Sequence, residues 1–208
     1  MKNLFELVNL WDGFPCLIVG GGRSVLDFNK DFLKDFKTIG VNNAALDFNT
    51  DALWFSDDRW LGWADNMLKI LHYEGIKVGC PHEDYFWLYK YKRCRPTGIE
   101  TSPEKICWNN NSGGGAINFA YHLGSRIIGL VGYDMCLGEA GEFNYHNKHK
   151  VEQRHKNYNF FSLMILAFQE IQKDAIKLGV EIYNLNERSK LDVFPKISIQ
   201  QFVEKYRR

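Results

Sequence analysis

The sequence contains no apolar run near the roughly 18 residues that a membrane-spanning helix needs, so no span is expected. Neither sign of charge dominates: 26 Lys and Arg stand against 25 Asp and Glu, a net charge of +1. That balance argues against a constitutive nucleic-acid binder held by a broad basic surface, and leaves room only for a local basic patch. The five cysteines (Cys16, Cys80, Cys94, Cys107 and Cys136) include no C-x-x-C pair. Their scatter points to reduced thiols in a cytosolic protein, not to a disulfide scaffold or a zinc knuckle. The first ten residues carry charges and too short an apolar stretch for a secretory signal, so a cytoplasmic location is expected. Repeats and low-complexity segments are absent as well.

What is present is an ordinary globular composition, 45% hydrophobic and 25% charged over 208 residues, enough for one nucleotide-binding domain over 1–208. Short β-branched runs alternate with amphipathic stretches, the pattern of βαβ units in a Rossmann-like α/β fold: an open, mostly parallel sheet with helices on both faces. Strands are expected at Cys16 to Gly20, Thr38 to Asn42, Ala52 to Ser56, Ile76 to Gly79, Arg126 to Gly132 and Val180 to Asn184. Helical spacing runs from Arg59 to Glu74 ahead of Gly75, from a Ser112 cap to His122, from Phe160 to Gly179, and from Ile199 to Tyr206. The rhythm breaks at 81–105, where Tyr85, Phe86, Trp87, Tyr89 and Tyr91 are interleaved with Lys90, Lys92, Arg93 and Arg95. This stretch reads as a small aromatic-rich insertion or lid. Tyr85, Trp87 and Tyr89 are candidates for stacking on an acceptor.

In open parallel sheets, ligands sit beyond the carboxyl ends of the strands, and the residues expected there are small and polar. Gly20, Gly21 and Gly22 with Ser24 follow the first strand and offer backbone N–H groups to a phosphate, or else simply make a tight turn. Asn42 and Asn43 follow the second strand and suit a ribose hydroxyl or a base edge. Asp57 and Asp58 follow the third, as a helix cap, a ribose contact or a Mg²⁺ ligand. Ser112 and Gly113 open an apolar helix whose N-terminus is a ready anion site, although Gly113 to Gly115 also permit close helix–sheet packing. Asp134 follows the fifth of these strands, and His146, His149 and His155 crowd the loop beyond it. Three histidines in a polar loop favour a general base. Zinc is the competing reading, but a matching cysteine or carboxylate set is not evident, so no metal site is assigned.

Taken together, Leu17-Ile-Val-Gly-Gly-Gly-Arg-Ser24, Ile39-Gly-Val-Asn-Asn43, Ala52-Leu-Trp-Phe-Ser-Asp-Asp-Arg-Trp60, Asn110-Asn-Ser-Gly113 and Gly129-Leu-Val-Gly-Tyr-Asp-Met135 resemble an uncharacterised family of tailed phages and prophages. The order of glycine turn, Asn after the second strand, Ser-Gly helix start and Gly-x-Asp strand end is more distantly similar to two groups. These are the bacterial sialyltransferases of glycosyltransferase family 42 and the MptE-like pterin diphosphokinases. The sialyltransferase resemblance implies nucleotide contacts from Gly22, Ser24, Asn42, Ser112, Gly113 and Asp134. It also implies a tyrosine, Tyr133 or Tyr145, at the departing phosphate, and a histidine base among His146, His149 and His155. The expected activity is therefore inverting, metal-independent transfer from a nucleotide-sugar donor to a hydroxyl acceptor (a glycan, a lipid or a modified nucleobase), with no cofactor required. A Mg²⁺-dependent diphosphokinase and a non-catalytic nucleotide-binding phage protein are the alternatives. A phage origin would place the chain in the host cytoplasm, and a homo-oligomer remains open.

Overall fold

The computed structural model describes residues 2–63, 66–146 and 160–207. Strands β1 (Cys16–Val19), β2 (Lys37–Val41), β3 (Ala52–Phe55), β4 (Ile76–Gly79), β5 (Tyr89–Lys90), β8 (Ile127–Val131) and β9 (Glu181–Asn184) form one parallel sheet in the order β5-β4-β3-β2-β1-β8-β9. A separate parallel pair joins β6 (Lys92–Arg93) to β7 (Lys105–Ile106). The helices are α1 (Asn43–Phe48), α2 (Asp58–Leu61), α3 (Asn66–His72), α4 (Ser112–His122), α5 (Phe160–Leu178) and α6 (Ile199–Tyr206). None of the described helices is long and apolar enough to cross a membrane.

The central strands are buried on both faces, which explains their continuous apolar runs. Alternate residues serve opposite layers. Cys16, Ile18, Ile39 and Trp54 pack with Phe119 of α4 and Phe168 and Ile171 of α5. On the other side Leu53 and Phe55 meet Trp60 and Ile70, while Leu17 meets Phe202 of α6. Trp54 is fully buried and stacks on Phe119 at 5.7 Å. Such burial contributes roughly 1.5–3 kcal/mol per large side chain.

The structure departs from the sequence reading in places. The stretch expected as one helix from Arg59 to Glu74 is two helices, α2 and α3. Asn66 helps end the first, its Nδ2 donating to Trp60 O at 2.7 Å. Gly75 does not serve as a left-handed cap; its hydrogen makes room for Asp51 O, which a Cβ would meet at 2.5 Å. Part of 81–105 is drawn into the main sheet, because Tyr89 and Lys90 pair with Val78 and Gly79 as its edge strand. Tyr91 next to them is core, stacked on His122 at 5.3 Å.

Candidate functional site

The chain lays strands outward from β1 to β5 and then returns to place β8 on the other side of β1. Connections leaving β1 and β8 therefore diverge, and a crevice opens at their carboxyl ends. A cleft of about 960 Å³ lies there. Its walls include Gly20 to Gly22 after β1, Asn42 after β2, Ser56 and Asp57 after β3, Gly132 to Cys136 after β8, and Asn110 to Gly113 at the start of α4.

The first glycine run is held tightly against the exit of β8. Gly20 N–H donates to Val131 O and Gly22 N–H to Gly132 O, both at 2.8 Å. A Cβ on Gly20 would lie 2.9 Å from Gly132 O, and one on Gly22 would lie 2.6 Å from the Asp134 carboxylate. Only the Gly21 N–H is without a partner among the described residues. Asp134, 7% exposed, accepts from Ser24 N–H at 2.9 Å, Ser24 Oγ at 2.5 Å and Asn186 Nδ2 at 2.9 Å. It ties the β1 and β8 loops together, and Ser24 is turned toward it and away from the cleft lining.

The two asparagines after β2 part company. Asn43 is buried and accepts from Trp60 Nε1 at 2.9 Å, which is a structural role. Asn42 lines the cleft with φ 56° and ψ −125°, a strained backbone for a residue with a side chain. Its Oδ1 is shielded from solvent and accepts no hydrogen bond among the described residues. An orphaned buried acceptor costs roughly 1–3 kcal/mol, which a ligand donor would recover.

At α4, the cap is Asn111 and not Ser112. Asn111 Oδ1 accepts Gly114 N–H at 2.7 Å, and Asn109 and Asn110, both at φ 54°, turn the chain into the helix. Ser112 is instead the first helical residue. Its Oγ lies 2.7 Å from Ser56 Oγ, and its carbonyl accepts Trp54 Nε1 at 2.9 Å. Tyr133 O–H donates to Gly113 O at 3.0 Å, and burial pushes that phenol's pKa well up. The N–H groups of Ser112 and Gly113 have no partner among the described residues. They carry the positive end of an 11-residue helix to the cleft.

Around this end stand charges. Asp57 caps α2 by accepting Arg59 N–H at 3.0 Å, and it pairs with the Arg59 guanidinium at 2.6 Å. Burial opposes its charge, but the Arg59 contacts win and hold the carboxyl below its usual range. Asp58 turns elsewhere, to the backbone and ring of His82. The described residues contain no cluster of three metal-ligating side chains. Arg93 lines the cleft, donates to Ser56 O and Cys80 O, and sits 6.0 Å from the ring centre of Trp108.

Part of the lining is aromatic. Phe143 stacks on Phe161 at 5.9 Å and meets Phe160 edge-on at 6.3 Å, and Met164 and Trp63 belong to the same lining. His146 also lines the cleft, its ring 4.6 Å from that of Tyr145. Tyr145 itself turns away: it packs on Phe48 and donates to Asp47 Oδ2 at 2.8 Å. Burial, then Asp47, raises its pKa. His149 and His155 lie outside the described residues.

The residues expected to contact an acceptor, Tyr85, Trp87 and Tyr89, do not line the cleft. Tyr85 and Trp87 pack ring to ring at 5.0 Å beside the Phe55–Trp60 cluster, and Tyr89 donates to Glu6 at 2.9 Å. Tyr85 and Trp87 are thus used by that cluster and Tyr89 by the main core. The sequence reading missed Arg59, Arg93, Trp108, Phe143 and Phe161 as cleft residues. Arg93 was visible only as one of several cations in a basic-aromatic stretch, and the phenylalanines only as helix or loop.

No family model matches this chain, and no curated protein matches its sequence. Solved structures share its fold. A MAf glycosyltransferase from Magnetospirillum magneticum AMB-1 is 13% identical with a TM-score of 0.60, over 95% of this chain and 37% of that one. This chain thus spans little more than a third of that protein. The sialyltransferase CstII from Campylobacter jejuni, in complex with a substrate analogue, cytidine-5'-monophosphate, is 14% identical with a TM-score of 0.54, over 90% and 86% of the two chains. The sialyltransferase CST-II with trisaccharide acceptor and CMP is 14% identical with a TM-score of 0.51, over 88% and 86%. At these identities the likeness is one of fold, which in this chain is built on a seven-stranded parallel sheet.

Proposed function

We propose that the cleft holds the nucleotide of a nucleotide-activated sugar and that the protein transfers the sugar to a hydroxyl acceptor with inversion. The observation that carries this reading is the start of α4. Two unpartnered N–H groups at a helix N-terminus face the Gly21 turn across a crevice at the switch point of the sheet. That arrangement favours a phosphate, and Arg93 adds positive charge in the same lining, where the Arg59 charge is balanced by Asp57. The orphaned Asn42 Oδ1 suits a ribose hydroxyl or a base amine. The shared fold with two glycosyltransferases supports sugar transfer as the use of such a site.

In the proposed step the acceptor oxygen attacks the anomeric carbon and the bond to the phosphate oxygen breaks. The α4 N–H groups stabilise the charge that develops there. His146 takes the hydroxyl proton, since it is the described histidine in the lining and an imidazole is matched to neutral pH. The acceptor enters over Phe143, Phe160 and Phe161. Tyr133 holds the helix start in place through Gly113 O, which makes it a positioning residue.

The test is a thermal-shift panel of CMP, UDP, GDP, ATP and their sugar conjugates, followed by a transfer assay with the hit in excess chelator. A ligand at 100 times its Kd raises stability by about 2.7 kcal/mol. We expect His146→Gln to lower the transfer rate by roughly 10²–10⁴ while nucleotide affinity is kept. Full activity in that variant would remove the base assignment. Loss of activity on chelation would favour Mg²⁺-dependent phosphoryl transfer, and binding without turnover a nucleotide-binding protein.

A further inference from the structure

The cysteines look scattered in sequence, yet the fold sets two of them side by side. Strands β6 and β7 run parallel with Lys92 opposite Lys105 and Arg93 opposite Ile106. One step further along, Cys94 N–H donates to Ile106 O at 3.0 Å, and Cys94 lies beside Cys107 with the sulfurs 4.0 Å apart. Parallel neighbours have Cα atoms about 4.8 Å apart and side chains on the same side. That spacing is within the roughly 4.4–6.8 Å that a disulfide spans. Arg93 directly precedes Cys94, and Trp108 directly follows Cys107; both line the cleft.

We propose that Cys94 and Cys107 form a reversible intramolecular disulfide, a modification site that ties together the two strands carrying Arg93 and Trp108 and so adjusts the cation and the ring at the cleft wall. The oxidant is a low-molecular-weight disulfide. Cys94 is partly exposed and Cys107 fully buried, so Cys94 reacts first. Its thiolate attacks one sulfur of the small disulfide and releases one small thiol. The Cys107 thiolate then attacks the Cys94 sulfur and releases the second. The two protein thiols lose two protons and two electrons in all, and the small disulfide leaves as two thiols.

The surroundings make this reaction slow at neutral pH. Burial, then the Glu100 carboxylate 3.3 Å away, pushes the Cys94 thiol up to about 12. Burial also raises Cys107, against the pull of Arg95, which is itself paired with Asp174 at 2.8 Å. Well below a thiol's pKa the thiolate fraction, and with it the rate, rises about tenfold per pH unit.

The experiment incubates the full chain, folded, with excess oxidised glutathione at mildly alkaline pH, alkylates it, and maps it by mass spectrometry with and without reduction. The expected result is a Cys94–Cys107 linked peptide that dithiothreitol removes, and a Cys94→Ser chain in which Cys107 stays unmodified. A stable glutathione adduct on Cys94 with Cys107 free would overturn the proposal. So would two alkylatable thiols under conditions that oxidise the denatured chain. The tie to the cleft is read from tryptophan emission, which should change on oxidation in the parent chain and not in Trp108→Phe. An equal change in both, or none in either, would overturn that coupling.

Discussion

Two glycine runs border the cleft, and on paper they are alike: Gly20 to Gly22 after a strand, Gly113 to Gly115 opening a helix. Their uses differ. In the first run, Gly20 and Gly22 spend their N–H groups on Val131 and Gly132, and their missing side chains let the β1 and β8 loops lie flush. In the second, Gly114 is satisfied by the Asn111 cap, while Gly113 and the neighbouring Ser112 keep open N–H groups. Its missing side chains admit the rings of Tyr133 and Trp54, which a Cβ on Gly113 or Gly115 would meet at 2.9 and 2.8 Å. The first run builds the cleft wall and leaves one open donor, Gly21 N–H; the second also leaves one, Gly113 N–H, beside that of Ser112. A glycine run therefore says only that something approaches closely, whether backbone, ring or ligand.

Substitutions that separate these uses should differ in size. Gly22→Val places carbon against the Asp134 carboxylate and Gly132 O, and neither can yield without opening the loop pair. We expect a stability loss of about 1–3 kcal/mol, read as a lowered midpoint in urea denaturation; an unchanged midpoint would mean that the loops are not packed as described. Tyr133→Phe removes the bond to Gly113 O at about 1 kcal/mol. Under the proposed function its effect should fall on nucleotide affinity, through a loosened helix start, with kcat nearly intact. A drop confined to kcat would instead make Tyr133 a leaving-group residue. The smallest structural effect is expected for Gly21→Ala, whose new Cβ meets only the Asn144 side-chain amide, at 2.7 Å. Stability should change by less than about 1 kcal/mol, while nucleotide affinity falls. Unaltered affinity would take the Gly21 turn out of the site.

Local patterns carried much of the fold. Strand positions in the sheet core agree with the structure to within a residue or so, because strands buried on both faces must be continuous apolar runs. The helix from Phe160 was legible from its spacing and from Gly179, whose φ of 66° ends it. The split between α2 and α3 was not, since apolar spacing continues across the break and only the Asn66 side-chain bond marks it. The edge strand β5 was also hidden: two paired residues in an aromatic-basic stretch carry no period to read.

By itself, the sequence determined that polar and glycine-rich loops would gather at the carboxyl edge of a parallel α/β sheet, because βαβ units have one handedness and one open end. Only the tertiary structure decided which of those loop residues face the cleft. Asn42 is turned in and Asn43 out to Trp60; Asp57 goes to Arg59 and Asp58 to His82; Ser24 is taken up by Asp134. Adjacent residues of the same type have the same local preferences, so nothing in the chain order separates them. What separates them is the partner that tertiary structure brings up once the layers close, 17 residues away for Asn43, 24 for Asp58 and 110 for Ser24, while Asp57 keeps a local one and Asn42 Oδ1 finds none among the described residues.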